Sequence, residues 1–168
     1  GILAALYERS VTGRGRLIDI SLLDGLIGML GYLPQLAWFT GEDPKPQGSQ
    51  HPNLVPYGVF PASDGSIVIA CLMNSFWANI CRALGMDDWI EDIRFDTLEK
   101  RRDARGIVNE RITAITSQKT VNELVDIFTE HQVPHAPILG IRDALSQPQA
   151  VARQMVVETD HQRLGKIP

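Results

Sequence analysis

The side chains able to do chemistry are few and scattered. His131 and His135 stand four apart, a spacing that brings two imidazoles to one metal when both lie on one helix face. Pro134 falls between them and breaks that geometry, so the pair reads as structural. His161 lies near a polar turn and reads as solvated. His51 differs, because it sits in a polar loop flanked by glycine and proline, where binding residues concentrate. A purely structural loop histidine is nevertheless the simpler reading of the residue alone. Asp19 and Asp24 straddle a strand–helix junction and cannot share one site unaided, and Asp64, before Gly65, is a hairpin-turn residue. Thr12-Gly13-Arg14-Gly15 looks like a phosphate loop but ends a helix, whereas phosphate gathers at helix N-termini. No G-x-S-x-G, P-loop or G-x-G-x-x-G is present, no nucleophile–base pair emerges, and no metal set does either.

Those side chains must be positioned by elements, and the periodicity names most of them. Ile2, Leu3 and Leu6 make an apolar stripe with Ala4 and Ala5 favouring helix, stopped by Gly13 and Gly15. Leu17–Ser21 (LIDIS) reads as a short buried strand. From Leu22 to about Phe39 the pattern predicts one apolar helix, with Gly25, Gly28 and Gly31 at three-residue spacing on one face. A helix apolar all round must be buried, against its own protein or a partner chain. Thr40–Pro56 carries Pro44, Pro46, Pro52 and Pro56 with little periodicity, and marks a loop and a lobe boundary. Tyr57–Leu72 reads as a β-hairpin turned by Asp64-Gly65. Asn74 or Ser75 is placed to cap the next helix, whose inner face is Phe76, Trp77, Ile80, Cys81 and Leu84, with Gly85 as its stop.

Two helices follow. One runs from Leu98 to Ser117 with Ile107, Val108, Ile112 and Ile115 inward. The other opens with the T-x-x-E capping box of Thr120 and Glu123, and its Val121, Leu124, Val125 and Phe128 fall at i, i+3, i+4 and i+7. Val133–Pro137 is extended by its prolines, Ile138–Ile141 reads as a strand, Arg142–Leu145 and Gln149–Met155 as helical, and Val156–Thr159 as extended. The fold class is mixed α/β (α+β), helix-rich.

Composition sets the outer limits. The 168 residues are 44% hydrophobic and 21% charged with a formal net charge of -4, an ordinary globular balance. No basic cluster offers a nucleic-acid footprint. Arg101, Arg102 and Arg105 alternate with Glu99 and Asp103 and read as a solvated helix face. The apolar window Leu22–Phe39 holds Asp24, Pro34 and Gln35, which argues against a membrane span. Cys71 and Cys81 each lie in an apolar run outside any C-x-x-C pair, as buried reduced thiols would in a cytoplasmic protein.

Taken as a string, GILAALYERSVTGRGRLIDISLLDG resembles the signature of family III CoA-transferases, the group that includes formyl-CoA transferase and carnitine CoA-transferase. The likeness continues through TGE, GSQHPNLVPYGVF, ASDGSIVIA, FWANICRALG, IRF, VPHAPI and QPQAVARQMVV to the closing DH–G–IP pattern, in family order over essentially the whole chain. Ile93 and Gln162 stand where the family usually has proline, which touches turns rather than chemistry.

The resemblance implies a C-terminal portion of such an enzyme. Residues 1–42 would then be part of the large CoA-binding domain, 43–56 a linker and active-site loop, 57–140 a small α+β domain on a short antiparallel sheet, and 141–168 a segment returning to the large domain. It also implies a catalytic aspartate upstream of Gly1, an inactive isolated fragment, acyl-CoA and a carboxylic acid as substrates with no bound cofactor, and an interlocked homodimer. His51, Asn53 and Tyr57 are the implied substrate-facing residues, and Leu22 matches a CoA-lining position. Formyl-CoA transferase carries a glycine-rich gate where this chain reads GSQHPNLVPYG, so a stiffer loop and a larger acid or acyl group are expected. The nearest alternative is an α-methylacyl-CoA racemase, but Met73 occupies the position where racemases carry an acidic residue, and a thioether moves no proton. A non-catalytic dimerisation or binding module is the other alternative.

Overall fold

The computed structural model describes residues 1–167. The chain divides into two compact units, Gly1–Pro46 and Gln47–Pro168.

In the first unit, α1 (Ile2–Thr12) ends where Gly13, at φ 72°, returns its N–H to Arg9 O at 2.9 Å, a left-handed cap that glycine adopts without a Cβ penalty. Residues 14–21 form no regular element and pair with no strand among the described residues, contrary to the sequence expectation for Leu17–Ser21. An apolar run becomes a strand only when a neighbour supplies the ladder. None of the unit's described residues does so, and Leu17 is 94% exposed. Ser21 Oγ accepts the Asp24 N–H at 3.2 Å and caps α2 (Leu22–Met29).

The single helix expected over 22–39 is two helices. Gly31, at φ 60°, stops the first, and α3 (Leu33–Thr40) leaves at 69° to it, with Pro34 in its opening turn. The same glycine that extended a small-residue face in the sequence is the residue that breaks the helix. No residue of the three helices is buried: Leu22 is 83% and Phe39 92% exposed. No single helix among the described residues is long and apolar enough to cross a membrane, although the bent α2–α3 pair passes that test by length and composition together.

The second unit is built on a three-stranded antiparallel sheet in the order β1–β2–β3. Strands β1 (Tyr57–Pro61) and β2 (Ser66–Ala70) form the expected hairpin, registered Gly58↔Ile69 and Phe60↔Ile67. Strand β3 (His135–Pro137) pairs with β2 through Ile69↔His135. It thus lies three residues before the run Ile138–Ile141 expected to be the strand. Only the Ile138 N–H continues the ladder, to Ser66 O, and Ile141 already opens a helix.

Period-2 alternation sends Phe60, Ile67 and Ile69 into a core closed by α4 (Asn74–Ala83), α5 (Leu98–Asp103), α6 (Arg105–Thr116) and α7 (Val121–Glu130). Trp77, Ile80, Cys81, Val108, Ile112, Leu124 and Phe128 fill it. The helix expected over 98–117 bends at Ala104 (φ -94°, ψ 18°), and Ile107, expected inward, is 55% exposed. Helix α4 has no side-chain cap: Met73 holds the N-cap position, and the Asn74 side chain is engaged elsewhere. Helix α7 carries its capping box in full, Thr120 and Glu123 each bonding the other's backbone N–H.

Asp64 proves to be a docking residue as well as a turn residue. Its Oδ1 accepts the Val121 N–H at 2.8 Å, tying the hairpin loop to the start of α7. Gly65 permits the approach, since a Cβ there would lie 3.0 Å from Val121 Cγ2. Beyond the core, α8 (Ile141–Leu145) and α9 (Pro148–Ala152) are short and exposed. Strands β4 (Thr159–His161) and β5 (Gly165–Ile167) form a separate ladder that the sequence reading did not anticipate.

Candidate functional site

The loop leading into β1 gathers three of the four candidate residues. His51 stacks on Tyr57, ring centroids 5.2 Å apart and 18° from parallel, and its backbone N–H donates to Tyr57 O at 2.8 Å. His51 Nδ1 accepts the backbone N–H groups of Asn53 and Leu54, both at 3.1 Å. An occupied Nδ1 puts the proton of the neutral ring on Nε2. The imidazole is therefore held as a fixed Nε2–H donor, suited to an oxygen of a thioester or carboxylate. The Asn53 side chain is exposed and Tyr57 half-buried. Leu22, the fourth candidate, belongs to the first unit, as the exposed first residue of α2.

What fixes the loop is a pair of arginines that the sequence reading had placed on a solvated face. Arg101 is wholly buried. Its Nε donates to Val55 O at 3.1 Å, Nη1 to Phe95 O at 2.8 Å and Nη2 to Asn74 Oδ1 at 2.7 Å, while its guanidinium lies 5.2 Å over the Trp77 ring. Burial lowers its pKa. Arg105, half-buried, reaches the loop's outer part, with Nη1 to His51 O at 3.0 Å and Nη2 to Pro52 O at 2.6 Å. Burial lowers its pKa too, and the like charge of Arg102 adds to that.

A signal for both was present in the sequence. Arg101, Arg105, Val108 and Ile112 fall at i, i+4, i+7 and i+11, so the arginines continue the buried stripe toward the N-terminus. Alternation with Glu99 and Asp103 masked it.

Side-chain packing closes the loop's base. A Cβ on residue 58 would come within 2.5 Å of the Gln50 amide, so Gly58 lets Gln50 lie across β1 and receive the Asn109 Nδ2–H on Oε1 at 3.3 Å. Asn109 Oδ1 is buried without a partner among the described residues. The remaining candidates are structural. His131 Nδ1 contacts Ile127 O at 3.0 Å and His135 Nδ1 contacts Val133 O at 2.7 Å. Among the described residues no group of three or more His, Cys, Asp or Glu side chains is placed to hold a metal. Burial raises the Cys71 thiol to about 11 and, with help from Cys71, the Cys81 thiol to about 12, so neither is a nucleophile near neutral pH.

Other grooves lie in the first unit. One of about 300 Å³ is lined by Ala4, Glu8 and Arg16–Ile20, and another of about 370 Å³ by Leu30, Leu33, Pro34 and Ala37. Both are open troughs of the first unit and include none of His51, Asn53 or Tyr57. The first trough carries the Arg16–Glu8 ion pair at 2.9 Å, whereas the loop presents an imidazole whose Nδ1 is held by two backbone N–H groups.

This helix-rich α/β chain with small antiparallel sheets matches part of a CaiB/BaiF family structure. A CaiB/BaiF family protein from Brucella suis superposes with a TM-score of 0.81 at 32% identity, over 96% of this chain and 42% of that one. Rv3272 from M. tuberculosis shares the fold, with a TM-score of 0.75 at 20% identity over 99% of this chain and 43% of that one. The profile of CoA-transferase family III matches residues 1–168, and the chain belongs to that family.

Among its relatives are an acetyl-CoA:oxalate CoA-transferase of Acetobacter aceti, 30% identical over 95% of this chain and 41% of that protein. A succinyl-CoA:mesaconate CoA-transferase of Haloarcula marismortui is 32% identical over 95% and 40%. The human succinyl-CoA:glutarate CoA-transferase is 26% identical over 99% and 38%. The chain thus spans about two-fifths of the length of the curated relatives it matches.

Proposed function

We propose that this chain is part of an enzyme that moves coenzyme A from an acyl-CoA thioester to a free carboxylic acid through an aspartyl mixed anhydride. The observation that carries the reading is the family match over the whole chain, with the three relatives above each named as a CoA-transferase to an acid. The aspartate is assigned to sequence outside these residues, on the family resemblance and on the share of its relatives that this chain spans. Its carboxylate oxygen bonds to the acyl carbon, the C–S bond breaks, and the CoA thiolate leaves. The thiolate then attacks the aspartyl carbonyl of the anhydride, which releases the donor acid as its carboxylate and leaves an aspartyl-CoA thioester. The incoming carboxylate displaces the thiolate from that thioester to form a second anhydride, and the thiolate attacks its acceptor acyl carbon, giving the new acyl-CoA and the free aspartate. Splitting the transfer this way lowers each barrier. N–H donors aimed at the developing oxyanions stabilise them, and water must be kept from the anhydride.

In this reading 43–56 is the active-site loop, 57–140 the small domain, and 1–42 and 141–168 parts of the large CoA-binding domain. His51, Asn53 and Tyr57 face the substrate, Leu22 lines the CoA site, and the enzyme is a homodimer of a reducing cytoplasm. The rigidity of the loop supports this assignment: a fixed Nε2–H donor is useful only if it is held still. Oxalate, mesaconate and glutarate, in the names of the relatives, are all dicarboxylates, and we read the acceptor class here as dicarboxylic.

The full reading frame, incubated in D2O with a panel of acyl-CoAs and dicarboxylic acids, is expected to yield the acyl-CoA of the added acid, read by mass spectrometry. Hydroxylamine trapping should leave a hydroxamate on an aspartate outside residues 1–168. Deuterium at the α-carbon without transfer would overturn the reading in favour of a racemase. A hydroxamate within these residues would overturn the assignment of the nucleophile.

A further inference from the structure

Arg105 is an odd residue for its position. It is the first residue of α6, where the helix dipole disfavours a cation. Arg102 adds like charge and the protein partly desolvates it, both lowering its pKa. The described ion pairs give it no carboxylate. What it has instead are two adjacent loop carbonyls, His51 O and Pro52 O, taken by the two arms of one guanidinium. A planar fork that bonds two neighbouring carbonyls fixes orientation as well as distance. Arg101 already holds Val55 O from within the core, so folding of the loop's inner end does not need Arg105. Arg105 governs the outer end, which carries the His51 ring and Asn53.

We propose that Arg105 is a positioning residue for acid transfer, clamping the His51–Asn53 end of the loop so that the His51 Nε2–H meets its substrate oxygen in one orientation and water stays out. It acts through the loop and touches no reacting atom. The inference rests on the reading of this loop as substrate-facing.

The test uses the full-length enzyme and Arg105→Ala, Arg105→Lys and, as a control on the same helix, Ile107→Ala, whose side chain is exposed. Hydrogen exchange read by mass spectrometry follows the His51, Asn53 and Leu54 amides, which depend on the loop's geometry. Arg105→Ala should speed their exchange about tenfold, the scale of one lost charged hydrogen bond, and leave hairpin residues 60–69 unchanged. Kinetically, the KM for the acid acceptor and the ratio of thioester hydrolysis to transfer should each rise about tenfold, with the KM for acyl-CoA within twofold. Arg105→Lys should recover only part of both, because an ammonium lacks the fork, and Ile107→Ala should change neither.

Unchanged loop exchange in Arg105→Ala overturns the inference. So does full recovery by lysine, which would make charge alone sufficient, and so does a fall in kcat with neither KM nor the hydrolysis ratio moved. A wild-type enzyme that transfers no CoA sinks instead the reading on which the inference rests, and that outcome is distinct from any of the three.

Discussion

At the residue scale, burial and hydrogen bonding of charge decide more than the charge pattern along the chain. Arg101 donates to two buried carbonyls and an amide oxygen at once, from three nitrogens pointing in divergent directions. Arg101→Met would keep most of the side-chain volume and remove the cost of desolvating a cation. It would also orphan Val55 O and Phe95 O, both in buried residues, at about 1–3 kcal/mol for each acceptor left dry, whereas the exposed Asn74 amide can turn to water. The second effect wins, and a net loss of about 2–5 kcal/mol is expected, a large part of a typical domain's stability. Urea unfolding of the full-length protein, followed by tryptophan fluorescence, reads it directly. A midpoint equal to wild type would mean that water reaches both buried carbonyls, and the packing account given for Arg101 would be wrong. Arg102, between the two inward arginines, pairs with Asp103 at the surface and carries no such expectation.

At the element scale, the parts legible in the sequence are those whose cause is local. The hairpin needed only alternation and an Asp-Gly turn, and α7 needed only its capping box and apolar stripe. The parts that were not legible depend on distant partners. Leu17–Ser21 has strand composition but no paired neighbour, and Gly31 acts as a break because of a backbone angle that spacing alone does not reveal. Likewise His51 was visible as a loop histidine, whereas the guanidinium that orients its loop comes from 54 residues away.

The capping box yields a pH prediction of its own. Glu123 is held below its ordinary carboxylate pKa first by the Thr120 backbone N–H and then by the Thr120 hydroxyl. A depressed folded-state pKa adds stability that is fully present above the unfolded value of 4.5 and is lost as pH falls through the folded one. The stability gap between wild type and Glu123→Gln should therefore be constant from pH 7 to about 5 and shrink below 4.5. Urea midpoints across that range decide it. A gap that widens on acidification would reverse the sign and remove the capping carboxylate as its cause.

At the scale of the whole molecule, the two units differ in what holds them. Every residue of the buried apolar core lies between Val55 and Val133, so the second unit has a centre of its own. The first unit has none: Leu3, Leu22, Met29, Trp38 and Phe39 are all largely exposed, and so are Ile141, Val151 and Met155 beyond the core. Apolar surface on this scale is ordinarily covered in a working protein. The consequence is asymmetric. Residues 47–140 expressed alone should be a soluble monomer that unfolds cooperatively, since they contain the core, the sheet and both loop-holding arginines. Residues 1–168 expressed alone should self-associate and bind a hydrophobic dye, because their exposed helices offer apolar faces with nothing to cover them. Sedimentation velocity on the two species separates the cases. A monodisperse, dye-silent 1–168 would show that the exposed helices find cover within the chain itself, and aggregation of 47–140 would show that its core needs them.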